Sequence, residues 1–113
     1  MVEVVFYRDS RKRLSSIFAR GHAEFAVDAD DLVCAAVSAI LQAARLGLEQ
    51  HAGVALEVRQ QAGEFDLRLR ESDRDDERVR AIVTTAELAI EQLARQYPEH
   101  VASASRRQKP SSP

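Results

Sequence analysis

The chain has 113 residues, 45% of them apolar and 30% charged, with a formal net charge of −2. A chain of this length fits one domain that buries roughly 65% of the surface its unfolded form exposes, so it needs neither a disulfide nor a metal to fold. The near balance of charge argues against direct nucleic-acid or membrane-surface binding, and a single cysteine excludes an intramolecular disulfide and fits a reducing cytoplasm.

Residues 2 to 7 are β-branched and aromatic and read as a strand with Val2, Val4 and Phe6 on one face. The acidic Glu3 inside this short apolar run, with no cleavage-site pattern after it, makes it a strand and not a signal peptide. No window approaches the length of apolar sequence a bilayer needs, so no membrane span is expected. The polar, basic connection RDSRKR (8–13) leads to a partner strand over 14–23. There Ile17, Ala19 and Gly21 share one face and Ser16, Phe18, Arg20 and His22 the other, and either face fits burial. Gly21 reads as a strand terminus or as a bulge that lets another backbone come close.

Residues 24–31 (EFAVDADD) carry four acids and end in residues that start helices, with Asp28 or Asp30 as the cap. From Leu32 to Leu48 the sequence is almost wholly apolar, so this helix is expected to be central. It has one polar seam. Ser38, Gln42, Arg45 and Glu49 lie about 40°, 80°, 20° and 60° round from Cys34. Cys34 therefore heads the seam, in the expected first turn, and a solvent-reachable thiol follows from that placement. Gly53 supplies a left-handed stop after His51. VALEVRQ (54–60) and FDLRLR (65–70) alternate, with Val54, Leu56, Val58, Phe65, Leu67 and Leu69 inward, around a turn at 61–64.

Ser72 to Tyr97 opens with acids and capping residues and then places Val79, Ile82, Val83, Ala86, Ile90, Leu93 and Tyr97 at helical spacing, with Pro98 ending the helix. Val101 is a last apolar point. Ala102 to Pro113 is small, polar and basic and is expected to be a disordered tail after a single domain over residues 1–101. The resulting class is α+β: a two-layer sandwich in the order ββαββα, with a four-stranded, mainly antiparallel sheet and two helices on one face. An apolar patch on the sheet around Val5, Tyr7 or Phe18 is a candidate dimer surface.

The chemistry-bearing stretch is Gly21 to Ser38. A thiol becomes a nucleophile as thiolate, which a helix N-terminus and a neighbouring histidine both favour. Cys34 has the first by position, and His22 can supply the second across a short loop. Free amides of the helix start could hold the oxyanion of an attacked carbonyl. Taken alone, a lone cysteine in an alanine-rich helix reads as a packing residue. No paired cysteines or HxxxH spacing is present, so neither a metal nor another cofactor is expected.

The motifs sharpen this. GHA at 21–23, DLVCAAVSAI at 31–40 and QYPEHV at 96–101 resemble the ribosomal-processing cysteine protease family Prp, from the first strand to about Val101. The resemblance implies a cytoplasmic α/β homodimer that removes a short N-terminal extension from a large-subunit ribosomal protein. By position it makes Cys34 the nucleophile and His22 the general base, with Gly21, Asp31 and Ser38 in supporting places. Ala29 stands where family members commonly carry glycine. The 24–31 loop is expected to close over an extended substrate. The alternative reading is a noncatalytic dimeric ribosomal-protein-binding or ribosome-assembly module whose cysteine is structural.

Overall fold

Val2, Val4 and Phe6 sit at 0%, 1% and 0% exposure, so the alternation of the first strand does mark a buried face. The structure is a computed structural model and describes residues 1–21 and 29–108, with side chains of the first helix described from residue 32. Strand β1 (Val2–Arg8) pairs antiparallel with β2 (Leu14–Arg20). Its register sets Val4 opposite Ala19 and Phe6 opposite Ile17, which settles which face of β2 is inward. The other face is not an open apolar patch, because Val5 is itself buried and Tyr7 and Phe18 are half-buried.

Helix α1 (Ala29–Leu46) begins three residues before the expected Leu32 and continues as a π-turn, Gly47–His51. Gly53 then stops it at φ 67°. Strands β3 (Leu56–Gln61) and β4 (Glu64–Leu69) form the second hairpin, turning at Gly63 with φ 78°, and β4 pairs antiparallel with β2. A 3-10 turn, Glu71–Asp73, precedes helix α2 (Glu77–Gln96). Asp76 caps α2, its carboxylate accepting the amides of Arg78 at 2.8 Å and Val79 at 3.2 Å. The Arg78 guanidinium beside it and those amides hold the Asp76 carboxyl below the usual carboxylate range.

The expected four-stranded sheet is a five-stranded mixed sheet in the order β3-β4-β2-β1-β5, with both helices on one face. The added strand β5 (Val101–Arg107) lies parallel to β1 and occupies the first half of what reads as a disordered tail. Its sequence has no strand pattern because only Val101 needs to be apolar, and at 1% exposure it is buried. What holds the rest is a backbone ladder to β1, which composition does not reveal. Residues 109–113 lie outside the described residues.

Inward residues of both helices and of β1, β2 and β4 form one core, with Val33, Val37, Leu41 and Leu48 of the first helical stretch meeting Val79, Val83 and Ile90 of α2. The segment Leu32–His51, with mean hydropathy 1.5, is in fact long and apolar enough to cross a membrane by composition, contrary to expectation. Val33, Val37, Leu41 and Leu48 of it pack into the core, while Leu32 and Leu46 stay exposed.

Candidate active site

Strand β2 ends at Arg20, and Gly21 follows at φ 94°. Its amide donates to the Gly63 carbonyl at 3.0 Å, tying the end of β2 to the β3–β4 turn. A Cβ on Gly21 would lie 2.3 Å from the Met1 carbonyl oxygen. Close backbone approach, one of the two readings of this glycine, is therefore what the position requires.

His22 and the acidic stretch through Asp28 lie outside the described residues, and with them the loop closure and the capping role of Asp28, whereas Asp30, the alternative cap, is the second residue of α1 and so lies inside the helix. Asp31 is placed by its backbone in the first turn of α1, and Ala29 is the first residue of that helix. Because α1 starts early, Cys34 falls in its second turn, and the helical pattern commits its amide to the carbonyl of Asp30. The free amides of the helix start belong to the turn before the thiol.

Cys34 is 8% exposed and belongs to the hydrophobic core, which corrects the expected solvent-reachable thiol. The cause is the stripe it joins: Val33, Cys34, Val37, Leu41, Ala44 and Leu48 recur at helical spacing and are all buried. The polar seam is present, but it runs over the β3–β4 hairpin. Gln42 Nε2 donates to Gln60 Oε1 at 3.1 Å, Arg45 Nη1 reaches the same oxygen at 3.4 Å, and Arg45 Nε pairs with Glu49 at 2.9 Å.

Between seam and hairpin lies a cleft of about 320 Å³. Ser38, Leu41 and Gln42 form its helix side, and Gln61, Gly63 and Phe65 its hairpin side. Ser38 is one turn after Cys34, and Gly63 is the residue that accepts the Gly21 amide. The fold thus brings Ser38 to the cleft itself and Gly21 to its edge through Gly63, while Cys34 lies one turn before Ser38 and is not among the lining residues. The hairpin contribution is what sequence reasoning missed. The seam and the turn at 61–64 are both legible, but nothing local says that they face each other. Among the described residues, no group of three His, Cys, Asp or Glu side chains is placed to hold a metal.

Comparison with known proteins matches this arrangement to one family. The family model described as cysteine protease Prp matches residues 1–102. Among solved structures, SMU.848 from Streptococcus mutans is 29% identical, with a TM-score of 0.83 and 96% coverage of both chains. The essential ribosomal processing protease Prp from S. aureus, in complex with a substrate peptide, is 18% identical, with a TM-score of 0.83 over 93% of this chain and 99% of that one. The same S. aureus protease with a covalently linked product peptide gives a TM-score of 0.81 at 18% identity and the same coverage. No curated protein matches the sequence. On the match across residues 1–102, the chain belongs to the Prp cysteine proteases.

Proposed function

We propose that this protease is a processing endopeptidase that removes a short N-terminal extension from a large-subunit ribosomal protein, using Cys34 and His22 as its reacting pair. The observation that carries the reading is the family match across residues 1–102, which takes in both residues. The cleft between Ser38, one turn after Cys34, and the β3–β4 hairpin supports it, being the right kind of groove for an extended chain. That the S. aureus relative is seen with a substrate peptide and with a covalently linked product peptide accords with it.

In this mechanism His22 takes the proton from Cys34 Sγ, and the thiolate attacks the scissile carbonyl carbon. Amides of the α1 start stabilise the oxyanion. The C–N bond then breaks, His22 returns the proton to the leaving amine, and water hydrolyses the thioester. Gly21 delivers the chain to His22. Asp31 and Ser38 support the pair from the helix. Because Cys34 is buried, substrate must reach the thiol through local opening around the helix start.

The same reading includes a cytoplasmic homodimer. The groove between the helices suits that contact: it holds about 410 Å³, lined by Ile40, Ala43, Gly47, Ala81, Ile82 and Thr85. Leu46 and Leu88 flank it at 52% and 57% exposure. A monomer at micromolar concentration by light scattering counts against the dimer.

The test uses a synthetic peptide spanning the N-terminal extension of the source organism's ribosomal protein, with cleavage located by mass spectrometry. Wild-type protein cleaves it, and Cys34→Ala lowers the rate by at least about 10³-fold without changing the unfolding transition. His22→Ala slows both cleavage and alkylation of Cys34. A Cys34→Ala variant that cleaves at the wild-type rate ends the proposal, and equal alkylation rates with and without His22 return Cys34 to a packing role.

A further inference from the structure

At the end of the sheet away from Gly21 the structure holds a second cavity, of about 400 Å³, and its lining is basic. Six of its residues are Arg8, Arg11, Lys12, Arg13, Arg74 and Arg80, while Asp75 is the acid among them. They come from the end of β1, the β1–β2 turn and the start of α2. The formal charge of −2 averages over this asymmetry, so the balance of the whole chain does not describe this end of it.

The cations divide into two groups. Arg13 and Arg74 are structural. Asp9 accepts Arg13 Nε at 3.0 Å and Arg74 Nη1 at 3.0 Å, and also the backbone amides of Arg11 at 2.9 Å and Arg13 at 3.1 Å. Arg74 closes the arrangement by donating twice to the Leu69 carbonyl, at 3.2 and 3.0 Å. The acids Glu71 and Asp75 are paired with Arg13, and Arg8 with Glu87. The second group, Arg11, Lys12 and Arg80, is exposed, and among the described residues these side chains carry no ion pair. The first group is a rigid frame that presents the second.

An independent observation points the same way. Lys12 adopts φ 65°, the left-handed conformation, and it is the one residue other than glycine to do so among those described. Glycine or asparagine would sit there with less strain. The turn is closed by the Lys12 amide on the Asp9 carbonyl at 2.9 Å, and it holds the Lys12 charge at the mouth of the basic cavity at some backbone strain. The patch also continues past the cavity. Arg107 of β5 is paired in register with Arg8 and so shares its face of the sheet, which adds a cation beside the cavity, while Arg106, next to it in the strand, points to the other face.

We infer that this basic end binds the phosphodiester backbone of RNA, through Arg11, Lys12 and Arg80 held out by the Asp9–Arg13–Arg74 frame. Several exposed cations at one end fit more than one phosphate, and the guanidinium groups among them can pair two hydrogen bonds to each. The choice of RNA over another polyanion rests on the function proposed above, since the substrate in that reading is itself an RNA-binding protein. The site lies at the end opposite Gly21, so RNA held there leaves the protease cleft free.

The test is fluorescence anisotropy of the full chain with a labelled single-stranded RNA 12-mer, titrated with potassium chloride from low salt upward. Saturable binding is expected, with affinity falling on a log–log salt slope of about −2 for three phosphate contacts. The triple variant Arg11→Gln, Lys12→Gln, Arg80→Gln should bind at least about tenfold more weakly and with a flatter slope, yet cleave free peptide at the wild-type rate. A charge-matched control on the outer sheet face, Arg20→Gln, Arg59→Gln, Arg68→Gln, should bind within about twofold of wild type. Lys12→Gly should raise the melting temperature while weakening RNA binding, which separates charge from fold. The inference is overturned by absence of saturable binding at low salt, by equal loss in the control variant, or by polyglutamate competing as well as RNA. Binding RNA without cleaving the peptide would sink the proposed processing function and leave this site standing.

Discussion

The amide of Gly21 donates to the carbonyl of Gly63 across 3.0 Å, and both residues hold positive φ, 94° and 78°. One hydrogen bond thus fixes where β2 hands the chain on toward His22 relative to the turn that walls the cleft. The two glycines differ in surroundings, however: a Cβ at Gly21 meets the Met1 carbonyl at 2.3 Å, whereas nothing lies within 4 Å of one at Gly63.

That difference makes a paired prediction. Gly63→Ala should cost about 1 kcal/mol, the ordinary penalty for a left-handed alanine. Gly21→Ala adds a backbone clash and should cost at least about 2 kcal/mol, lowering Tm by roughly 8 °C or more. Urea or thermal unfolding of the two variants compares them directly, and equal losses would mean that the strand end can shift to admit a side chain. Gly21→Ala should also reduce peptide cleavage, because it moves the residue that carries His22.

The cleft makes a kinetic prediction. Gln61→Trp puts a bulky ring at its exposed hairpin rim and should raise KM for the substrate peptide about tenfold with kcat within twofold, the pattern of lost binding rather than lost chemistry. Alkylation of Cys34 by a small reagent should not change, since the thiol is not at that rim. A fall in kcat with KM unchanged would place the substrate elsewhere.

The Asp9 carboxylate gives a pH prediction. Burial pushes its pKa up, but hydrogen bonds from the Arg13 amide, the Arg74 guanidinium and the Arg11 amide more than offset this and hold it below the usual range. A carboxyl depressed in the folded state contributes stability that is complete above its unfolded pKa, about 3.9, and is lost as pH falls through the folded value. Wild-type protein should therefore lose stability steeply below about pH 4, and Asp9→Asn should be less stable at pH 7 with a shallower acid slope. Chemical denaturation from pH 7 to pH 3 measures both, and parallel curves would show that Asp9 is not a principal acid-sensitive group.

Strand β5 makes a prediction about backbone direction. The Gln108 amide donates to the Arg8 carbonyl at 2.6 Å, so by the two-residue period the amides of Ala104 and Arg106 also face β1 and that of Ser103 faces away. Ala104→Pro deletes a ladder hydrogen bond and should destabilise by about 3 kcal/mol, while Ser103→Pro at the free edge should cost clearly less. Reversed costs would reverse the register.

What was legible in the sequence were the local periods. The two-residue alternation of Val2, Val4, Phe6 and of Phe65, Leu67, Leu69 marked faces that are buried, and the spacing of Val79, Val83, Ala86 and Ile90 marked the inner side of α2. The blocks around His22 and Cys34 were enough to reach the family, because motif spacing is a property of the chain itself. Tertiary structure decided whatever depends on partners distant in sequence. The residues from Ala102 onward carry no strand signal, yet Ala102 to Arg107 extend the sheet because β1 offers unpaired backbone groups. Cys34 heads a polar seam by angle but is buried because the sheet lies under that edge of the helix. Arg13 is held by Glu71 and Asp75, 58 and 62 positions away, so the basic cavity cannot be read from any window of sequence. Periodicity reports which side of an element is apolar, and only packing determines what that side meets.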